Sequence, residues 1–212
     1  MVMLVVCGLK REARVLEKAQ VCVATGTTFD VSPDVTAIIS VGIAGALAPD
    51  LKVGDVVVAE RVLTENEAFE TDSRWTSRLA TQIPDATIGA MLGRGEIADS
   101  AEVKALLHQS TRAVSVDLES HHAARAALTK NLPFAALRVI SDRADQSLPP
   151  ATLVAMKPDG GIDLGRVLGS VARHPLQIPA LIRTARESEK AFAALLRCVE
   201  VLGPGLGCPY LG

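Results

Sequence analysis

The stretch that decides the fold is Phe134–Asp145, FAALRVISDRAD, in which an apolar run ends abruptly at Ser141 and Asp142. Apolar strands that stop at small polar and acidic residues are typical of the carboxyl edge of a parallel sheet, where α/β proteins bind ligands. Asp142 would then lie at the rim of a pocket, backed by an apolar sheet that favours its protonated form. The alternative is that Ser141 and Asp142 only cap the segment that follows.

Length and composition favour one α/β domain without a bound metal or cofactor. The chain has 212 residues, of which 49% are apolar but only 3% aromatic, so its core would consist of Ala, Val, Leu and Ile. A net charge of −2 argues against a dedicated nucleic-acid binder. The four cysteines form no CxxC pair and accompany no His cluster, which predicts free thiols in a reducing cytoplasm and no zinc site.

The chain is predicted to contain several short buried strands and several helices, as an α/β protein does. Ahead of the Phe134 strand, we expect strands at 4–7, 21–25, 36–41, 55–59, 86–92 and 113–116. We expect helices at 9–19, 74–82, 101–108, 120–129, 164–172 and about 180–202, and a turn at 159–161. Residues 1–202 would form the domain, and residues 203–212 (GPGLGCPYLG) a flexible C-terminal tail. No apolar run reaches the ~18 residues that a membrane span needs.

Two further segments place small or acidic residues directly after predicted strands. Gly42–Leu47 (GIAGAL) follows the strand at 36–41, and its small residues either admit a ligand to the backbone or let the backbone pack closely. Asp117–Ser120 (DLES) follows the strand at 113–116 and opens a helix. The helix dipole accounts for one acid at a helix N-terminus and less well for two.

Three separated motifs together resemble those of the purine nucleoside phosphorylase and methylthioadenosine nucleosidase superfamily. Val41–Leu47, followed by Gly54–Val57, resembles its glycine-rich segment. Val116–Ser120 is similar to its ribose motif, and Ile140–Asp145 is similar to its purine motif. The resemblance covers most of residues 1 to about 150. It implies a single α/β domain, a three-layer α/β/α arrangement with a mixed, twisted central sheet.

The resemblance also implies a role for individual residues. Asp142 matches the acid that protonates N7 of the leaving purine, and Glu12 matches the base that activates water in the nucleosidase branch. Glu119 matches the carboxylate that binds the ribose hydroxyls, and Leu118 replaces the usual Met against the ribose. The other residues that the family places at the substrate are Asp117, Ser141, Ile43, Ala44, Gly45 and, beside Glu96, Ile97.

These residue types suit cleavage of an N-glycosidic bond, which develops positive charge on the sugar and negative charge on the base. Hydrolysis is favoured over phosphorolysis, because Ile43 and Ala44 offer no polar side chain and Glu12 would repel phosphate. A phosphorylase of the same fold is the alternative if nearby cations build a phosphate site; the candidates are Lys10, Arg11 and Arg14. A nucleoside-binding module without catalytic activity is a third hypothesis.

Longer segments are similar to the hopanoid-associated branch of the superfamily: GLKREAR at 8–14, DLESHHAARAAL at 117–128, PFAALRVISDRADQSLPPA at 133–151 and HPLQIPALIRTARESEKA at 174–191. The activity that this implies is removal of adenine from adenosylhopane, which leaves ribosylhopane. The segment between Glu60 and Gly93 is shorter than in the methylthioadenosine nucleosidases, which would leave room for a bulky group at the ribose 5′ end.

The resemblance implies a nucleoside as the small-molecule partner, with a lipid-like 5′ substituent, and a homodimer; the cysteines predict a cytoplasmic location. Near the C-terminus, apolar residues alternate with arginines in a way that suits contact with a bilayer surface. The alternative is a helix packed on its own core or on a second subunit. The residues concerned are Arg173, Leu176, Ile178, Leu181, Ile182, Arg183 and Arg186.

Overall fold

The computed structural model describes residues 2–19, 21–155, 161 and 163–210. Its strands are β1 (Val2–Cys7), β2 (Cys22–Thr25), β3 (Val35–Ala46), β4 (Val56–Leu63), β5 (Ala68–Glu70), β6 (Thr87–Gly93), β7 (Ser115–Asp117) and β8 (Phe134–Asp142). Its α-helices are α1 (Lys10–Leu16), α2 (Ser73–Gln82), α3 (Ala101–Thr111), α4 (Ser120–Lys130), α5 (Pro150–Leu153), α6 (Leu164–Arg173) and α7 (Ile178–Leu202).

All eight described strands belong to one mixed sheet, in the order β2-β1-β3-β7-β6-β4-β5. Strand β8 lies off this path, because it pairs in parallel with β3 and antiparallel with β4. The five strands β3, β8, β4, β6 and β7 therefore form a closed ring. The predicted α/β fold with a mixed sheet and flanking helices is confirmed, and closure of the ring is a feature that the sequence did not indicate.

Strand β8 divides the core between two layers of helices. Successive side chains of a strand point to opposite faces of the sheet. Leu137 accordingly lies in an apolar cluster with Leu195 of α7, whereas Ile140 lies in a second cluster with Ala123 of α4. All seven residues of Phe134–Ile140 are buried, which explains the nearly continuous apolar run in the sequence.

Strand register brings the ends of the polar motifs to one edge of the sheet. Gly45 of β3 is the partner of Asp142 of β8, and Gly93 of β6 is the partner of Asp117 of β7. The pairing of β3 with β8 shifts after Ala44, which leaves Ser141 as an extra residue in β8. Bulges of this kind re-aim side chains and occur often beside functional sites.

The prediction of a flexible tail is wrong for residues 203–210, because this segment packs on the domain. Leu206 is fully buried, and its carbonyl accepts a hydrogen bond from Trp75 Nε1 at 3.0 Å. The Tyr210 hydroxyl donates to Asp72 Oδ2 at 2.7 Å. Residues 211–212 lie outside the described residues, as does most of the turn that is expected at 159–161.

None of the described helices combines the length and the apolar character that crossing a bilayer would require. Cys7, Cys22 and Cys198 are free thiols, and Cys7, Cys198 and Cys208 are buried.

Candidate active site

Glu12 is a buried carboxylate held by three backbone N–H groups. Gly8 N and Leu9 N donate to Oε2, both at 2.8 Å, and Ile43 N donates to Oε1 at 2.8 Å. The first two bonds belong to the start of α1, where a carboxylate on the third helical residue commonly caps the helix. The bond from Ile43 reaches across to β3 and fixes the carboxylate beside the glycine-rich strand, which capping alone does not require.

Two glycines make room for the acids of this site. A Cβ atom on Gly42 would clash with the carboxyl group of Glu12, and a Cβ atom on Gly8 would clash with that of Glu119. Both carboxyl groups therefore lie directly against backbone. Burial raises the pKa of Glu12, while the backbone donors and the Arg138 charge oppose that rise.

Arg138 is the cation around which the acidic residues gather, and its side chain is fully buried. Its Nε lies 3.1 Å from Asp117 Oδ2, and its Nη2 lies 3.9 Å from Glu119 Oε2. The same Nη2 donates to Ser40 Oγ at 2.8 Å. Asp117 Oδ1 in turn accepts hydrogen bonds from Glu119 N at 2.9 Å and Ser120 N at 2.8 Å at the start of α4. The predicted pair of acids thus has two roles, since Asp117 fixes the turn and pairs with Arg138, and Glu119 stays closer to solvent.

Glu119 titrates unusually for a glutamate. Burial first, and then the nearby charge of Asp117, raise its pKa from 4.5 to about 8, although the charge of Arg138 opposes the shift. A carboxyl group with this pKa exchanges its proton near neutral pH, where it can donate or accept a hydrogen bond with a sugar hydroxyl.

We expect the free energy of unfolding to fall as the pH rises from about 4.5 to 8, by up to about 1.4 kcal/mol per pH unit from Glu119. In this window the folded protein keeps a proton that the unfolded chain has lost, so folding is favoured at the lower pH. Urea unfolding at pH 5, 6, 7 and 8 measures the slope. Glu119→Gln should flatten it and Glu96→Gln, on an exposed acid, should not; an unchanged slope in Glu119→Gln would contradict the assignment.

Asp142 lies at the end of β8, over the backbone of Gly45. Its Oδ1 accepts a hydrogen bond from Ser141 Oγ at 2.7 Å, and its Oδ2 forms an ion pair with Lys104 Nζ of α3. Asp142 therefore has a charged and a polar neighbour in addition to the apolar sheet that the sequence predicts behind it. Lys104 is fully buried and also donates to the carbonyls of Arg143 and Gln146, both at 2.9 Å, so it fixes the turn after β8 as well as the carboxylate.

The structure brings together most of the residues that the sequence singles out. Ile43 contacts Glu12 through its N–H, and the Ala44 carbonyl accepts a hydrogen bond from Ser141 Oγ at 3.1 Å. Leu118 is half-buried at the turn between β7 and α4. Ile97 is half-buried in the loop between β6 and α3, and no hydrogen bond of this residue to the carboxylates is observed in the described part of the chain.

Sequence reasoning missed Arg138 and Lys104. The sequence did contain a signal for Arg138, because an arginine inside a buried apolar run needs an acidic partner. Several acidic residues follow the predicted strands and could have been considered as that partner. Lys104 gave no such signal, since it lies on a helix with mixed polar and apolar residues.

The loop after β6 borders a charged cavity of about 450 Å³ that does not include Glu12, Glu119 or Asp142. His121, which is 8% exposed, lines it beside Gly93, and its Nδ1 has no hydrogen-bond partner in the described structure. The described residues contain no cluster of three or more His, Cys, Asp or Glu side chains that could hold a metal ion.

The fold is that of solved nucleosidases. Futalosine hydrolase of Helicobacter pylori is 17% identical and superposes with a TM-score of 0.61 over 92% of this chain and 97% of that one. The 5′-methylthioadenosine/S-adenosylhomocysteine nucleosidase of S. pneumoniae is 17% identical, with a TM-score of 0.60 over 93% and 99%. A mutant of the H. pylori nucleosidase with 5′-methylthioadenosine in its active site is 16% identical, with a TM-score of 0.63 over 94% and 98%.

A family model adds sequence evidence to the likeness in fold. The model of the phosphorylase superfamily matches residues 2–86, which contain β1, Glu12 and the glycine-rich end of β3. The resemblance to this superfamily is therefore confirmed. The narrower resemblance to the hopanoid-associated branch stays a prediction.

Proposed function

We propose that the protein is a purine nucleosidase that hydrolyses the N-glycosidic bond of a 5′-substituted adenosine. The observation that carries the proposal is the placement of two acids along β3, Glu12 against Gly42 and Asp142 against Gly45. Three residues of strand span roughly 10 Å, which is the scale of a nucleoside. A base and a sugar bound along this strand would have one carboxyl group near the purine and another near the anomeric carbon.

Departure of the purine requires a proton at N7, and Asp142 would supply it from the form of the enzyme in which its carboxyl group is protonated. Once Asp142 has given up its proton, the remaining carboxylate faces the ammonium of Lys104 and the hydroxyl of Ser141. Both groups stabilise that carboxylate without reorganisation, so they favour the transfer of the proton to the base. Lys104 acts here as a positioning residue.

The sugar becomes cationic as the bond breaks, and the acids beside β3 stabilise this charge. Glu119 would bind the ribose hydroxyls, with its carboxyl group oriented by Arg138 and by the turn that Asp117 closes. Glu12 would take a proton from the attacking water. Its three N–H donors hold the carboxylate in one position, so little motion is needed at the moment of attack.

Phosphorolysis is less well supported than hydrolysis. Among the cations near Glu12, Arg11 forms a two-pronged ion pair with Glu189, at 2.6 and 2.5 Å, and stacks on the Phe192 ring. Arg138 is already surrounded by carboxylates, which would repel a phosphate. These contacts favour water as the second substrate.

The resemblance to the hopanoid-associated branch makes adenosylhopane the proposed substrate, with adenine and ribosylhopane as products. The cavity beside segment 60–93 does not support a hydrocarbon group at the ribose 5′ end. Charged side chains line this cavity, among them Glu65, Glu67 and Arg94. A groove with a more apolar lining lies instead between α5 and α6. We propose further that the protein is a cytoplasmic homodimer, which light scattering would test for the oligomeric state.

Phosphate dependence distinguishes the two reactions. We expect adenine release from 5′-methylthioadenosine and from an adenosylated polycyclic lipid in detergent, at the same rate with and without phosphate. Glu12→Gln should lower kcat by about 10²–10⁴-fold, because an amide cannot accept a proton from water. Glu17→Gln, an exposed acid just beyond the same helix, is the control. Release only with phosphate, or full activity in Glu12→Gln, would contradict the proposal.

A further inference from the structure

The helical corner formed by α6, the 3₁₀ turn Pro175–Gln177 and the start of α7 exposes large apolar side chains. We call it the α6–α7 surface. Its most exposed members are Leu164 (70%), Leu168 (68%), Leu176 (95%), Ile178 (41%) and Ile182 (49%). Leu164 and Leu168 are four residues apart on α6, as are Ile178 and Ile182 on α7, so each pair lies on one helix face. Packing on the protein's own core, which the sequence left open for this segment, does not account for these five side chains.

The charges of the same surface have one sign. Residues 164–186 contain four arginines and no Asp or Glu, although the whole chain has a net charge of −2. Arg166, Arg173, Arg183 and Arg186 are all exposed. Only Arg166 has an acidic partner within 4 Å in the described structure, Asp163 at 3.6 Å. The exposed apolar side chains therefore lie among cations that mostly lack counter-charges.

A groove of about 640 Å³ runs between α5 and α6 within this surface. Val154 and Pro150 line one side, and the facing side of α6 presents Gly165 and Gly169, which have no side chain, together with Arg166, Ser170 and Arg173. Open space lies above Gly169, where a Cβ atom would meet no other atom within 4 Å. Arg173 borders the groove, so an apolar chain could lie in it with an anionic group beside the guanidinium.

Two contacts join α7 to segments that follow β1 and β8, at the edge of the sheet where the candidate active site lies. Helix α7 is fixed to the carboxyl edge by Glu189, which pairs with Arg11 after β1, and by Glu187, which accepts a hydrogen bond from Gln146 Nε2 at 2.6 Å after β8. Ile182 lies five residues before Glu187, which is about 7.5 Å further along the helix. The start of α7 therefore lies on the far side of these two contacts from the buried half of the helix, Ala191–Leu202.

We propose that the α6–α7 surface docks on a bilayer that contains anionic phospholipid. The leucines and isoleucines would enter the boundary between headgroups and acyl chains, and the arginines would contact the phosphates. A second copy of the chain fits less well, because a two-fold contact would place this arginine-rich surface against itself. The proposal goes beyond the proposed function and does not depend on it.

Co-sedimentation of the full chain with vesicles tests the proposal. We expect binding to phosphatidylcholine vesicles that contain phosphatidylglycerol, weaker binding to phosphatidylcholine alone, and a loss of binding as salt is raised. The double variant Leu168→Asp/Leu176→Asp should lower the partition coefficient at least about tenfold. Arg183→Gln and Arg186→Gln should each lower it about fivefold.

Matched controls come from exposed residues elsewhere on the chain. Leu106→Asp changes a leucine that is 65% exposed on α3, and Arg78→Gln changes an exposed arginine on α2; both should bind vesicles as the unmodified protein does. Two results would overturn the proposal. One is no binding to anionic vesicles at low salt, and the other is a dimer that Leu168→Asp/Leu176→Asp converts to a monomer, which would make this surface a subunit interface.

An activity assay on the same variants separates this proposal from the nucleosidase. Leu168→Asp/Leu176→Asp should cleave 5′-methylthioadenosine, which is soluble, at the unmodified rate, while Asp142→Asn should bind vesicles normally. Vesicle binding without adenine release would leave the docking surface in place and reject the proposed function. Adenine release without vesicle binding would support the proposed function and reject the docking surface.

Discussion

Asp142→Asn should lower kcat for adenine release by about 10²–10⁴-fold, because an amide has no acidic proton to give to N7 of the purine. The expected loss appears mainly in kcat, since the proton is transferred in the transition state and the shape of the side chain is kept. Single-turnover measurements of adenine release check the chemical step directly. Near-normal turnover in this variant would remove Asp142 from the acid role. An unmodified protein that binds nucleosides but never releases adenine would be a binding module.

Because Asp142 forms an ion pair with Lys104, the experiment needs controls that separate catalysis from stability. The asparagine variant would leave the buried ammonium without a counter-charge, so part of any loss could come from a changed turn. A double-mutant cycle with Lys104→Met separates the two effects. Stability should be coupled between the two positions, and Lys104→Met should lower kcat less than Asp142→Asn, because it removes a group that stabilises the carboxylate but keeps the acid itself. Asp85→Asn, in an exposed turn, should leave both quantities unchanged, because Asn tolerates the φ of 67° at that position.

Arg138→Met should lower the free energy of unfolding by about 3–5 kcal/mol, which is a large part of the total stability of a domain. The guanidinium is fully buried, and its removal would leave Asp117, its partner at 3.1 Å, as an uncompensated buried charge. Urea unfolding at pH 7 measures the loss. Arg138→Lys should lower the free energy of unfolding less, because lysine keeps the positive charge and lacks only the planar guanidinium group.

An exposed arginine provides the comparison for Arg138. Arg125 pairs with Glu67, but both side chains are about half exposed, so Arg125→Met should cost no more than about 1 kcal/mol. If Arg138→Met cost no more than Arg125→Met, the acidic residues would not depend on the buried guanidinium for their charge balance.

The sequence predicted the carboxyl-edge acids because their signal is local. Each of Asp117 and Asp142 ends a strand, and a change from apolar to acidic residues within two positions is visible without any knowledge of the fold. The order of strands and helices was also local, since it follows from the lengths of the apolar runs. The α/β class could therefore be predicted from the chain itself.

Features that join distant parts of the chain could not be predicted in this way. The tail from Gly203 onward has the composition of a flexible segment, yet Leu206 packs in the core and bonds to Trp75, a residue 131 positions earlier. Lys104 reaches Asp142 only because α3 lies across the end of β8. The strand ring closes because β8 pairs with β4 as well as with β3. Neither pairing can be recognised from the local sequence pattern.

Closure of the ring bears on how the chain avoids aggregation. The strands of the ring have neighbours on both sides, so the outermost strands of the described sheet are β2, with four residues, and β5, with three. Strand edges that short offer an incoming chain few unpaired backbone groups. In a sequence in which 49% of residues are apolar, the folded state therefore leaves few unpaired strand groups on which a fibril could begin.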